Sequence, residues 1–122
     1  MTAHLIESAS AFKFTIASGI LSVGLVTLLV SLPLIYRKVP MNAFYGIRIR
    51  ASFQSEQRWY DINAYGGRQM AAWSWLITAT GVAGLFISQK HFVEYAFTDL
   101  TLTLLAVFIP VIQIFRWSAK RG

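Results

Sequence analysis

Three long apolar stretches and one polar, patterned interval account for most of the chain. The first stretch, Phe14 to Tyr36 (FTIASGILSVGLVTLLVSLPLIY), holds no charged residue. As a helix it would run about 34 Å, enough to cross a hydrocarbon core of about 30 Å with some tilt. It is too long for the apolar core of a signal peptide, and Glu7 stands in the segment before it, so a retained span is expected. Pro33 predicts a kink or a stop in its last turn. The second stretch, Met70 to Ser88, is shorter and richer in small residues, with Trp73 and Trp75 near its start. Thr80, Gly84 and Ser88 recur at a spacing of four and mark a face that another helix can approach closely. Phe97 to Phe115 is the third, with Pro110 inside it and Asp99 one turn in, within reach of the interface.

The interval 37–69 is too polar to span and too patterned for a plain linker. Pro40 fixes its own φ and pushes Val39 toward extended geometry. Asn42 can bond the backbone two residues on, and Gly46 permits a positive φ. An extended strip from Ile47 would point Arg48 and Arg50 the same way. Ser52 or Ser55 can then cap a short helix through Tyr65, with Glu56 at its positive end. On that helix Trp59, Ile62, Asn63 and Gly66 share a face, and Arg58 and Asp61 are close enough to pair. The segment is expected to lie in the membrane interface with its rings buried, Phe53 among them. Gly66 and Gly67 then mark either a bend into the second span or a close helix contact. Arg68 stands opposite Trp59 on a straight helix and joins the same cluster only if the glycines redirect the chain.

Composition strengthens the membrane reading. Of 122 residues 56% are hydrophobic and 13% charged, too few polar groups to cover a water-soluble globule. The net charge of +6 could suit nucleic acid, but the cations flank apolar runs and read instead as topology signals and attraction to anionic lipid headgroups. The interval 37–69 carries Arg37, Lys38, Arg48, Arg50, Arg58 and Arg68, and the C-terminal end adds Arg116, Lys120 and Arg121. The other side has Lys13 and Lys90 alone. Nine against two places the interval and the C-terminus in the cytoplasm and the N-terminus outside. With no cysteine, disulfides, thiolate metal sites and cysteine nucleophiles are excluded.

Catalysis finds little footing. His4 and His91 are isolated, and Glu56 and Asp61 diverge by about 140° on a helix, as Glu94 and Asp99 would. Neither pair suits acid–base work, and no nucleophile–base pair, phosphate loop or metal-ligand spacing is present. The expectation is a protein that is not an enzyme and uses no cofactor or metal. Two readings stand for the motif residues. Pro40, Asn42 and Gly46, with Gly66 and Gly67, can shape backbone; Asn42, Arg48, Trp59, Asn63 and Arg68 can bind a ligand or partner. Arg48 in particular suits a bidentate grip on phosphate or carboxylate, or the bracing of backbone carbonyls.

The string VPMNAFYGIRIRAS, followed by Trp59, Asn63 and Gly66-Gly67-Arg68, resembles the signature of the SdpI family of bacterial membrane proteins. Pro40, Asn42, Gly46, Arg48, Trp59 and Asn63 carry the likeness, which extends over residues 29 to 88. Ala43 and Ile49 depart from it, at positions where a basic and a small hydroxylated residue are common. The resemblance implies an inner-membrane protein connected with immunity to a secreted toxin and with signalling. The name-giving member is longer, so neither role transfers directly.

The combined expectation is a single-domain, all-α integral membrane protein. It has three transmembrane helices, a cytoplasmic motif loop and a short interfacial amphipathic helix. Its loop would bind a partner or anionic lipid, and its helices would pack into a homo-oligomer or a larger complex. The rival readings are an oligomeric transporter or channel lined by Thr80 and Gly84, and an accessory subunit. No nucleic-acid partner is expected.

Overall fold

The computed structural model describes residues 2–121, and among these all regular structure is helical. Helix α1 runs Thr2–Ile35, α2 Glu56–Phe86 and α3 Phe92–Lys120. Short 3-10 turns at Arg50–Phe53 and Gln89–His91 lead into α2 and α3. Helix α2 is the centre of the bundle: α1 and α3 both pack on it, and far less on each other.

The packing inverts the usual arrangement of a soluble bundle. The buried positions are largely small or hydroxylated, among them Ala17, Ser31, Ser74 and Thr78, while Leu29, Phe97 and Phe108 are each at least 60% exposed. The small residues let helix axes come close. A Cβ on Gly81 would lie 2.6 Å from the backbone nitrogen of Leu21, and one on Gly24 would collide with Thr78. Where large apolar side chains face outward on all sides, close contact of small ones supplies the cohesion between helices. Helices α1 and α3 are each long and apolar enough to cross a membrane.

Several expectations are corrected. No separate interfacial helix ends at Tyr65, because α2 continues from Glu56 to Phe86 as one helix. Gly66 and Gly67 do not break it, and of their two readings the close contact is the one found. Each glycine costs a helix about 1 kcal/mol of propensity, and here two different neighbours occupy the space it leaves. A Cβ on Gly66 would meet the side chains of Ile47 and Ile114; one on Gly67 would stand 3.1 Å from the Ser31 carbonyl oxygen and from Ile35 Cγ1. Trp59, Ile62 and Asn63 are fully or almost fully buried within the protein, so that face does not meet the interface. Ser88 lies beyond the end of α2, which Ile87 caps, so the spaced small face stops at Gly84. Gly84 and Thr80 contact α3 of the same chain: Tyr95 lies against Gly84, and its hydroxyl donates to the Thr80 carbonyl at 2.7 Å. Asp99 does not reach outward. It is 5% exposed, with Thr103 Oγ1 3.5 Å from its Oδ2 and no partner for Oδ1.

Side chains close the helix ends. Ser55, one of the two predicted caps, accepts from the Arg58 N–H at 3.0 Å. At the end of the bundle away from the loop, Lys13 Nζ donates 2.8 Å to the Ile87 carbonyl, setting a cation against the negative end of α2. Replacing Gly67 by Leu should lower stability by about 1–3 kcal/mol through overpacking against Ser31 and Ile35. Thermal unfolding in detergent, compared with Ala at the exposed position 68, would measure it.

Candidate functional site

Helix α1 runs through Pro33 and ends two residues later in a left-handed turn. Arg37 takes φ +58, the Lys38 N–H reaches back to the Pro33 carbonyl at 2.9 Å, and the Arg37 N–H to that of Leu34 at 3.2 Å. This paired closure satisfies two orphan carbonyls and turns the chain back along α2. Arg37 Nη1 then bonds Asp61 Oδ1 at 3.0 Å, so Asp61 pairs with the loop and not with Arg58 as the helical spacing had suggested. Partial burial pushes the Asp61 carboxyl up. Hydrogen bonds from Gln57 and Arg37 and the charges of Arg37 and Arg58 outweigh it, and its pKa falls below the usual 3.8.

Beyond Arg37 the loop has no ladder of its own, and side chains supply its hydrogen bonds. Asn42 Oδ1 accepts from the N–H groups of Phe44 and Tyr45 at 2.8 and 2.7 Å, and its Nδ2 donates to the carbonyls of Pro40 and Tyr45. The predicted turn at Asn42 therefore forms, and it occupies the whole amide. The Tyr45 hydroxyl donates to the Val30 carbonyl of α1. Trp59 Nε1 donates to the Val39 carbonyl at 2.8 Å. Asn63 Oδ1 accepts from the Ile47 N–H at 2.6 Å, while its Nδ2 donates to the Trp59 carbonyl at 2.9 Å and, more weakly, to that of Ile47 at 3.4 Å.

Gly46 is the piece that makes this closure possible. Its φ of +119 is open to glycine at little cost, and a Cβ there would stand 2.8 Å from Asn63 Oδ1 and 3.0 Å from the Trp59 ring. Pro40, Asn42, Gly46, Trp59 and Asn63 are thus parts of one clasp that fastens the loop to the first turns of α2.

The cations of the motif stand outside it. Ile47 and Ile49 are half-buried while Arg48 and Arg50 are exposed, the alternation expected of an extended strip. Arg48 Nη1 donates to the Ala43 carbonyl, which is the bracing reading of this residue, and the rest of its guanidinium faces outward. Phe44, which follows Ala43 in the chain, is 90% exposed. Arg68 is exposed and, because α2 runs on unbroken and the two residues are nine apart, points away from Trp59, so it does not join the clasp. Among the described residues no three His, Asp or Glu side chains gather to hold a metal.

The chain matches the SdpI/YfhL protein family over residues 38–116. It belongs to that family. The SdpI/YfhL match begins at the turn after α1, takes in the whole clasp and α2, and reaches the last turns of α3. It therefore extends further toward the C-terminus than the resemblance read from the motif alone. No curated protein and no solved structure is similar enough to match.

Sequence reasoning missed three features of this end of the SdpI/YfhL fold. Ser52, read as a possible cap, is buried and braces the 3-10 turn through the Ile49 carbonyl at 2.7 Å and the Ile49 N–H at 3.1 Å. Arg58 Nη2 donates at 3.2 Å to the Ser118 carbonyl in the last turn of α3. Tyr65 stacks on Trp117 at 4.6 Å, with the Arg121 guanidinium over the same indole at 4.4 Å. The last two join α2 to α3 across about 50 to 60 positions, and no local pattern announces them.

Replacing Asn63 by Ala should cost about 1–3 kcal/mol, since the half-buried Ile47 N–H loses its partner. Limited trypsin digestion should then cut faster at Arg48 and Arg50 while α3 stays protected. The Arg37–Asp61 pair is half-exposed and should contribute about 0–1 kcal/mol. Because the folded-state pKa of Asp61 is depressed, this contribution is present above pH 3.8 and is lost as pH falls through the lower folded value. The difference in unfolding between the native protein and Asp61→Asn should therefore be visible at neutral pH and disappear once the pH has fallen through that folded value.

Proposed function

We propose that this SdpI/YfhL protein is a multi-pass inner-membrane binding module. Its clasped loop is a rigid cytoplasmic platform for a partner protein or peptide, in toxin immunity or membrane signalling. In this reading all three helices cross the bilayer, α2 with its C-terminal half, and the N-terminus lies outside. The nine-to-two bias of Lys and Arg supports the orientation, and the outward-facing large apolar side chains support lipid contact.

The observation that carries the binding reading is the division of labour in the motif. Asn42, Trp59 and Asn63 are turned inward and spent on the backbone of the loop. That leaves Phe44, Arg48 and Arg50 on its outer surface, with little conformational entropy left to lose on binding. An exposed ring and an exposed guanidinium suit a partner that offers an apolar side chain and a carboxylate or phosphate. The transport reading has less support. Its proposed lining, Thr80 and Gly84, is covered by Tyr95 of the same chain.

The double variant Phe44→Ala/Arg48→Glu should insert and stay folded, losing about 1 kcal/mol with the exposed Ala43 brace, yet lose the partner recovered with it in mild detergent, along with any immunity or signalling phenotype. Unchanged recovery and phenotype would leave the loop a scaffold without a binding role. A reporter fused after Gly122 should be cytoplasmic.

A further inference from the structure

Helices α1 and α3 meet α2 on different sides, and a groove is left between them. Its main cavity, of about 370 Å³, is walled by Val23 and Thr27 of α1, Ile77 of α2 and the stretch of α3 from Thr103 to Phe115, and Ile47 and Ile49 of the loop close one end. The walls are almost wholly apolar. Along α3 that stretch is about 18 Å long at 1.5 Å per residue, close to the ~15 Å of hydrocarbon in one leaflet. A second cavity of about 320 Å³ prolongs the groove toward Thr15, sharing Val23, Ile77 and Thr103 with the first.

The loop end has a different chemistry. Ile49 and Phe115 also border a third cavity, of about 350 Å³, in which Arg50, Gln54 and Arg58 stand without any acidic residue. Arg50 is exposed and has no partner among the described residues. Arg58 uses Nη2 on the Ser118 carbonyl, and its buried Nε is unpartnered. Of the two acids near this end, Asp61 is held by Arg37 and Gln57, and Glu56 is exposed at the start of α2. An apolar slot one leaflet deep therefore opens, through two shared residues, onto a pair of guanidinium groups with no carboxylate bonded to either among the described residues.

We propose that this groove seats one acyl chain of an anionic phospholipid of the cytoplasmic leaflet, with the lipid phosphate held between Arg50 and Arg58. The inference deepens the reading above and rests on its topology, since it needs the loop end at the cytoplasmic surface. Guanidinium donors match phosphate oxygens in charge and geometry, and the anionic inner leaflet supplies the ligand at high local concentration. A zwitterionic lipid offers the same chain and a phosphate, but carries its own cation to compete with the arginines.

The test is native mass spectrometry of the full chain, delipidated in mild detergent and titrated separately with phosphatidylglycerol, with phosphatidylcholine of identical chains and with inorganic phosphate. One phosphatidylglycerol should be retained, about fivefold more tightly than phosphatidylcholine, and Arg50→Ala should remove that preference. Val111→Trp, which fills the groove from a half-exposed position away from the arginines, should weaken both lipids. Circular dichroism and melting would confirm that each variant is folded.

Equal retention of the two lipids, indifference to both variants, or displacement by inorganic phosphate alone would overturn the proposal. So would a lipid-free dimer whose groove is filled by a second copy. Absence of lipid discrimination in the native chain, with an intact partner phenotype, would remove the lipid seat alone. An extracytoplasmic reporter at Gly122 would overturn the topology, and with it the leaflet named here, whatever lipid is retained.

Discussion

A chain that leaves one helix and folds back along another must find a partner for every peptide group it hides from water. Between Tyr36 and Ile49 there is no ladder to provide them, and the side chains of Asn42, Trp59 and Asn63 take over that task. Asn63 is the pivotal one. Its amide is the right size to bond the Ile47 peptide nitrogen while also reaching the Trp59 carbonyl within its own helix. Gly46 then has to pass over the indole and the amide with no side chain, so the turn, the helix face and the loop register are fixed together.

That fastening has consequences further along the chain. Holding Ile47 against α2 sets its side chain over Gly66, where Ile114 of α3 also arrives, so the loop and the third helix share one hole in the central helix. Immediately beside it, Gly67 receives α1. Two adjacent glycines, poor helix formers in isolation, lie inside a 31-residue helix because both sides of that helix are occupied at once. The same end of the bundle is tied electrostatically. Arg37 reaches from α1's closing turn to Asp61, and Arg58 reaches to the carbonyl end of α3, where a cation meets the negative helix pole.

The arrangement also explains how a motif rich in binding-competent residues divides into two layers. Amide and indole groups face inward and are saturated; guanidinium groups and one phenyl ring face outward on a backbone already ordered. The stiffness of that outer surface comes from the inward-facing side chains of Asn42, Trp59 and Asn63. Membership of the SdpI/YfhL family covers both layers together with α2 and most of α3.

Much of this was legible from local pattern. Apolar runs at bilayer length marked α1 and α3, Ser55 announced the start of α2, and Asn42 and Gly46 announced the turn, because each depends on residues within a few positions of one another. The alternation of Ile47 and Ile49 with Arg48 and Arg50 was readable for the same reason. The continuity of α2 was not: Gly66-Gly67 is a break by propensity, and only α1, the loop and α3 closing on it make it a helix. Arg68's isolation, Asp99's burial, the exchange of Arg58 for Arg37 as the partner of Asp61 and the stacking of Tyr65 on Trp117 were likewise settled in three dimensions. Sequence periodicity determines what each segment can form alone, whereas these contacts join positions 20 to 60 residues apart, whose meeting depends on how the helices cross.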